Sequence, residues 1–144
     1  MEKIKKHNPK NNYISKWNGD ILHIFDPIYR QNYYFIPAEN KQQFINICKK
    51  ELKMEIPKEE DDGDKSGGFK IIEKDHKCYK CGKNIMETTK ICVLWANTPK
   101  NIIHESFHAI SWTLRKRGIS LTDESDEAFA YLLAFLTEQI LKAI

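Results

Sequence analysis

Three residues in the run IIHESFHAI, residues 102–110, have the types and spacing for metal chemistry: His104, Glu105 and His108, in the order HExxH. On an α-helix, positions four apart lie one turn above each other on one face, so both imidazoles can hold a single metal ion. The glutamate between them flanks that face, close enough to work on a metal-bound water. This is the arrangement of a zinc hydrolase. No histidine follows His108, so a third protein ligand must be a carboxylate or an upstream histidine such as His76.

The carboxylates that could complete the set are Asp123, Glu124, Asp126 and Glu127, which open the last helix expected from the sequence. Acidic residues in a first turn complement the helix dipole, and Thr122 or Asp123 can cap it, which accounts for at least two of the four without any metal. Glu127 stands apart because eighteen residues separate it from His108. That length covers the rest of the first helix, a turn through Gly118 and a return to the metal. Ala128, Ala130 and Ala134 would let this helix approach the first closely, while Phe129, Leu132, Leu133, Leu136 and Ile140 supply core contacts. Asp126 or Glu124 could orient a ligand histidine.

The element that carries HExxH is punctuated at both ends. Thr98 is a good N-cap, and Pro99 suits the first helical position, where its missing N–H costs nothing. Arg115, Lys116 and Arg117 complement the far end of the dipole, and Gly118 can take the left-handed position that closes a helix. Ile103, Phe107, Ile110 and Leu114 are expected to form the buried stripe, with His104, His108 and Ser111 on a neighbouring stripe facing the cleft. Before the helix, the β-prone run Ile91 to Trp95 places Ile91, Val93 and Trp95 on one face and Cys92 and Leu94 on the other. Cys92, Val93, Leu94 and Trp95 could form the sheet edge along which an extended peptide pairs, or simply a core strand.

Upstream, ILHIF (21–25), a turn at Asp26-Pro27 and the aromatic run Tyr29 to Ile36 predict a β-hairpin. Phe44, Ile45, Ile47, Cys48 and Leu52 recur at helical spacing between Glu39 and Met54, predicting an amphipathic helix packed on the sheet. His23, alone in the first strand, reads as structural. Residues 55–68 are charged and glycine-rich and read as a flexible loop, followed by a short strand from Phe69 to Ile72. Cys78, Cys81 and Gly82 have the C-x-x-C-G form of a zinc knuckle, to which His76 and either Cys48 or Cys92 could add ligands. The competing reading is a hairpin turn that holds two thiols.

Composition narrows the function classes. The 144 residues are 41% hydrophobic and 30% charged, as in an ordinary soluble domain. A net charge of +3 arises partly from Lys3, Lys5, Lys6, Lys10 and Lys16 in a polar segment read as a flexible basic arm over 1–18. No basic stripe on a helix supports specific nucleic-acid binding. No apolar stretch is long enough to cross a bilayer and no secretory leader is legible, so a cytoplasmic protein is expected. Four cysteines are too few and too unevenly spaced for a disulfide framework. The organisation expected is that arm and one domain over 19–144.

The pattern HExxH, a gap of this length, then glutamate resembles the gluzincin metallopeptidases, with His104, His108 and Glu127 in the ligand positions. More closely, FDPIYRQNYYF at 25–35, IIHESFHAI at 102–110 and RGISLTDESDEAFAYL at 117–132 are similar to small HExxH zinc peptidases encoded by tailed bacteriophages. The resemblance implies an α+β, minigluzincin-like fold: a small twisted sheet packed on the HExxH helix, with a C-terminal glutamate helix behind. It also implies a zinc-dependent metallopeptidase acting on a peptide or protein in the host cytoplasm or virion. Zinc would lower the pKa of its bound water from about 15.7 toward about 7, with Glu105 as general base. Tyr131 is a candidate oxyanion donor, though a core tyrosine explains it as well. The C-x-x-C turn departs from the pattern and carries no role over from it; a second, structural zinc there stays an open reading. The alternative function is a non-catalytic zinc protein of the virion or of a host interaction, but a purely structural His/His/Glu site has no use for Glu105.

Overall fold

The strands form where apolar residues alternate, and they end where proline and glycine interrupt them. The computed structural model describes residues 14–54, 67–77 and 84–144. Its strands are β1 (Ser15–Asn18), β2 (Ile21–Asp26), β3 (Gln31–Pro37), β4 (Gly67–Lys77) and β5 (Asn84–Ala96). Three helical segments, α1 (Lys41–Ile47), α2 (Pro99–Lys116) and α3 (Asp126–Ala143), complete an α+β architecture, with a π-helical turn at Cys48–Leu52 extending α1. The five strands form one mixed sheet in the order β1-β2-β3-β5-β4. All neighbours are antiparallel except β3 and β5, which run parallel.

The expected hairpin is β2–β3. Buried Asp26 closes its turn by accepting from the backbone N–H of Ile28 and of Tyr29, both at 3.1 Å. Such side-chain bonds to the following backbone are what make Asp a turn residue. His23 stacks on Tyr34 with ring centroids 4.7 Å apart and shares a 2.7 Å hydrogen bond with Asn32, so its role is structural, as expected.

Alternation in β5 divides the core in two. Cys92, Leu94 and Ala96 join Leu22, Ile24, Tyr33 and Phe35 beneath α2 and α3. Ile91, Val93 and Trp95 face the other way, with Ile21, Ile36 and Phe44 of α1. Phe44 stacks on Trp95 at 5.8 Å, so the amphipathic α1 covers the second face as its periodicity predicts. Asn40 caps α1 by accepting from Gln43 N–H at 2.8 Å.

Several boundaries differ from the sequence reading. Ser15–Asn18, assigned to the arm, pairs with β2 as an edge strand, and Ser15 Oγ donates to Gln139 of α3 at 2.8 Å. Residues 1–13 lie outside the described residues. Gly67 and Gly68, assigned to the loop, begin β4, which extends to Lys77 instead of ending at Ile72. Residues 55–66 are likewise outside the description. Finally, α3 starts at Asp126 with Ser125 in the capping position, not at Thr122 or Asp123. Residues 122–125 instead close a turn in which Ser125 N–H bonds the Thr122 carbonyl at 3.1 Å.

The largest correction concerns β5. Cys92, Val93, Leu94 and Trp95 pair with Tyr33 to Ile36 on one side and with Ile71 to Gly68 on the other. A strand with both ladders filled is interior and cannot take a further strand. The edge nearest α2 is β4. No helix among the described residues is long and apolar enough to cross a membrane.

Candidate metal centre

Helix α2 forms as its punctuation predicts. Thr98 Oγ1 accepts from Asn101 N–H at 3.2 Å, and Pro99 opens the first turn. At the other end Gly118, at φ +78°, donates to the Arg115 carbonyl, and Ile119 N–H reaches the Leu114 carbonyl, both at 2.9 Å. These paired bonds are the Schellman closure that a left-handed glycine permits. Arg117 then fixes the helix end against the β2–β3 turn, donating to the Tyr29 carbonyl at 2.9 Å and to Gln31 Oε1 at 3.4 Å.

The buried face of α2 is rotated from the one expected. Ile102, Ser106, Ala109, Ile110, Thr113 and Leu114 are buried, whereas Ile103 and Phe107 are exposed. Ile102, Ser106, Ala109 and Thr113 follow an i, i+4, i+7, i+11 course, so the helix meets the sheet along a stripe that includes small and hydroxyl residues. Within it Tyr33 Oη lies 2.7 Å from Thr113 Oγ1, which donates in turn to the Ala109 carbonyl at 2.9 Å. Burial raises the Tyr33 phenol well above its usual range and pushes the neighbouring Cys92 thiol up to about 12.

This rotation leaves His104 and His108 outward and Glu105 inward. The two imidazole Nε2 atoms are 3.2 Å apart, with ring centroids at 4.8 Å and the rings edge to face. Two nitrogens bound to one tetrahedral zinc, each at about 2.0–2.1 Å, would stand about 3.3–3.4 Å apart. The observed spacing matches that requirement, and the pair therefore fits a shared metal. Partial burial, and secondarily the charge of His104, lower the His108 pKa from its ordinary value. A neutral imidazole, the form that binds metal, is thereby favoured.

Glu105 is only 4% exposed, and its Oε1 lies 3.7 Å from His104 Nε2. It is seated by β4. A Cβ placed on Gly67 would come within 3.0 Å of Glu105 Cγ and 3.1 Å of the Trp95 carbonyl oxygen, so only glycine fits there undisturbed. A cavity of about 300 Å³ opens between the two elements, lined by Gly67, Gly68, Phe69, Lys70, His104, Glu105 and His108. Beginning β4 with two glycines is thus what brings a backbone edge against the HExxH face.

The other sequence-predicted residues are placed elsewhere. Glu127 is exposed in the first turn of α3, as are Glu124 and Asp126 nearby. Among the described residues no group of three or more His, Cys, Asp or Glu stands close enough to hold a metal, so Glu127 is not assembled with the histidine pair. Ala130 and Ala134 are exposed and do not mediate the approach of α3, which Phe129, Leu132, Leu136 and Ile140 bury instead. Tyr131 is 43% exposed, stacks on Phe135 at 6.3 Å and does not line the cavity. Desolvation, then the charges of Asp26 and Tyr29, raise its pKa. His76 lies in β4, its backbone paired with Ile85 beside a bulge. Cys78 and Cys81 fall outside the described residues.

Sequence reasoning missed Gly67, Gly68 and Phe69. The signal that could have found them is the Gly-Gly pair directly before a β-prone run, which marks close backbone approach as readily as a loop. Comparison with family models, with curated proteins and with solved structures finds no match to the chain.

Proposed function

We propose that the protein is a zinc-dependent metallopeptidase of gluzincin type, built on a minigluzincin-like arrangement of β4, α2 and α3. The observation that carries this reading is the 3.2 Å separation of His104 and His108 Nε2 beside a buried Glu105. A histidine pair alone could serve a structural ion. A carboxylate sequestered next to it, in a cavity walled by a strand edge, is what hydrolysis requires.

His104 and His108 would hold the metal through Nε2; the third ligand this reading requires is Glu127, which would have to approach the pair from the exposed first turn of α3. Zinc, when bound, supplies Lewis acidity toward a carbonyl and acidifies a coordinated water. Glu105 accepts the water proton on its carboxylate and returns it to the leaving nitrogen. The missing side chain at Gly67 leaves the room in which the Glu105 side chain lies against β4. The edge strand β4 takes the role first sought in β5: a peptide extended along residues 67–70 would pass over the histidine face.

The test is hydrolysis of a quenched-fluorescent peptide library by wild-type protein and Glu105→Gln, both loaded with zinc. Removing a general base costs about 10²–10⁴-fold in rate. A Glu105→Gln protein that retains zinc and loses activity supports the proposal; equal turnover by the two proteins refutes it.

A further inference from the structure

A larger cavity lies beside the histidine pair and is not used by the chemistry above. Its volume is about 480 Å³, and Phe69, His108, Ser111, Trp112, Arg115 and Lys116 line it. Phe69 and His108 also line the smaller cavity, so the two are neighbours. From His108, positions i+3, i+4 and i+7 along α2 carry Ser111, Trp112 and Arg115 to the same side. The cavity therefore begins at a metal-facing imidazole and ends at cations.

Three properties of its walls select a ligand. The walls carry no acidic side chain, and Arg115 is exposed on them. The Arg115 side chain makes no hydrogen bond or ion pair among the described residues, although a guanidinium has five donors and favours planar, two-oxygen acceptors. Ser111 is 6% exposed, and its buried Oγ has no hydrogen-bond partner among the described residues. The Trp112 and Phe69 rings offer apolar flanks for a short methylene stem.

We propose, resting on the peptidase reading, that this cavity is a subsite for an aspartate or glutamate side chain close to the scissile bond of the substrate. Arg115 pairs with the carboxylate, and Trp112 and Phe69 flank its methylene stem. The enzyme then selects acidic peptides, with specificity written on the same helix face that carries the metal ligands.

The test uses zinc-loaded Glu105→Gln protein and two fluorescein-labelled pools of short random peptides. The pools are identical except that one carries Glu and the other Gln at alternate positions, and binding is read by anisotropy. A partly exposed charge pair gives a preference of about fivefold for the Glu pool. Arg115→Gln brings the ratio to about one, and Arg115→Glu reverses it in favour of a matching Lys pool. Lys49→Gln, an exposed site on the far face of the sheet, keeps the parent ratio. Equal affinity of the parent for the two pools, or a preference that survives Arg115→Gln, overturns the proposal. Cleavage of the same pools by wild type separates the two ideas. Binding preference without hydrolysis refutes catalysis and keeps the subsite, whereas hydrolysis of both pools at equal rates refutes the subsite and keeps catalysis.

Discussion

Replacing Gly67 with alanine tests the contact that seats Glu105. The added Cβ would meet Glu105 Cγ at 3.0 Å and the Trp95 carbonyl oxygen at 3.1 Å, with Asn101 Cβ at a more ordinary 3.4 Å. Favourable carbon contacts lie at about 3.5–4.0 Å, so the first is short by roughly half an ångström. Trp95 is held in the ladder between Ile36 and Gly68, which leaves the Glu105 side chain to give way. Overpacking of this kind costs about 1–3 kcal/mol, while the loss of glycine's freedom in the unfolded chain returns about 0.4–1 kcal/mol. The net expectation is a destabilisation of about 0.5–2 kcal/mol, or a melting temperature lower by about 2–8 °C. A 1 Å misplacement of a reacting group can cost about 10²-fold, so a shift half as large should lower turnover by roughly tenfold while zinc is retained. Thermal unfolding of Gly67→Ala, Glu105→Ala and the double variant isolates the contact, with an expected coupling of about 0.5–1 kcal/mol. Strictly additive costs, or a Gly67→Ala protein that melts at or above wild type, would refute the reasoning.

Other expectations follow from the same structure. Thr113→Val leaves the buried Tyr33 hydroxyl without its 2.7 Å partner and should cost about 1–3 kcal/mol by urea unfolding, with little change in zinc content. Burial pushes the thiols of Cys48 and Cys92 up to about 12, so both should resist iodoacetamide at neutral pH in folded protein and react once it unfolds, as read by peptide mass spectrometry. In metal-free protein the His108 pKa is depressed by partial burial and by His104, so the unfolded chain binds the extra proton first. Stability should therefore be lost as pH falls from the ordinary histidine value of about 6.5 through the lower folded value, then level off. His108→Gln should flatten that part of the profile in urea unfolding measured across the same range.

Local signals carried much of the fold. The β2–β3 hairpin, the two faces of β5, the helix over α1, and both ends of α2 follow from alternation, spacing and caps, all decided within a few residues. Strand order did not follow. Whether ICVLW lies at an edge depends on β4 returning along it, a pairing set by residues on the far side of a long connection. The stripe of α2 failed for a related reason: Ile103 and Phe107 are the larger apolar residues, but the sheet is met by Ile102, Ser106, Ala109 and Thr113, whose smaller side chains permit close approach. For the candidate site, the histidine pair and its glutamate were legible because i, i+4 geometry is local. Gly67 was not, since its role exists only once β4 lies against α2. The third ligand rests on spacing alone, because a carboxylate nineteen positions on is brought to a metal only by tertiary packing, and the structure leaves Glu127 exposed.

The measurement that bears most directly on the central claim is zinc per chain, by mass spectrometry of purified native protein and of His108→Ala, Glu127→Ala and Cys78→Ala. The account predicts one zinc in the native protein that is lost with His108 and weakened or lost with Glu127, and that Cys78→Ala leaves in place. Zinc that survives the changes at His108 and Glu127 but departs with Cys78 would contradict it, moving the metal from α2 to the C-x-x-C turn.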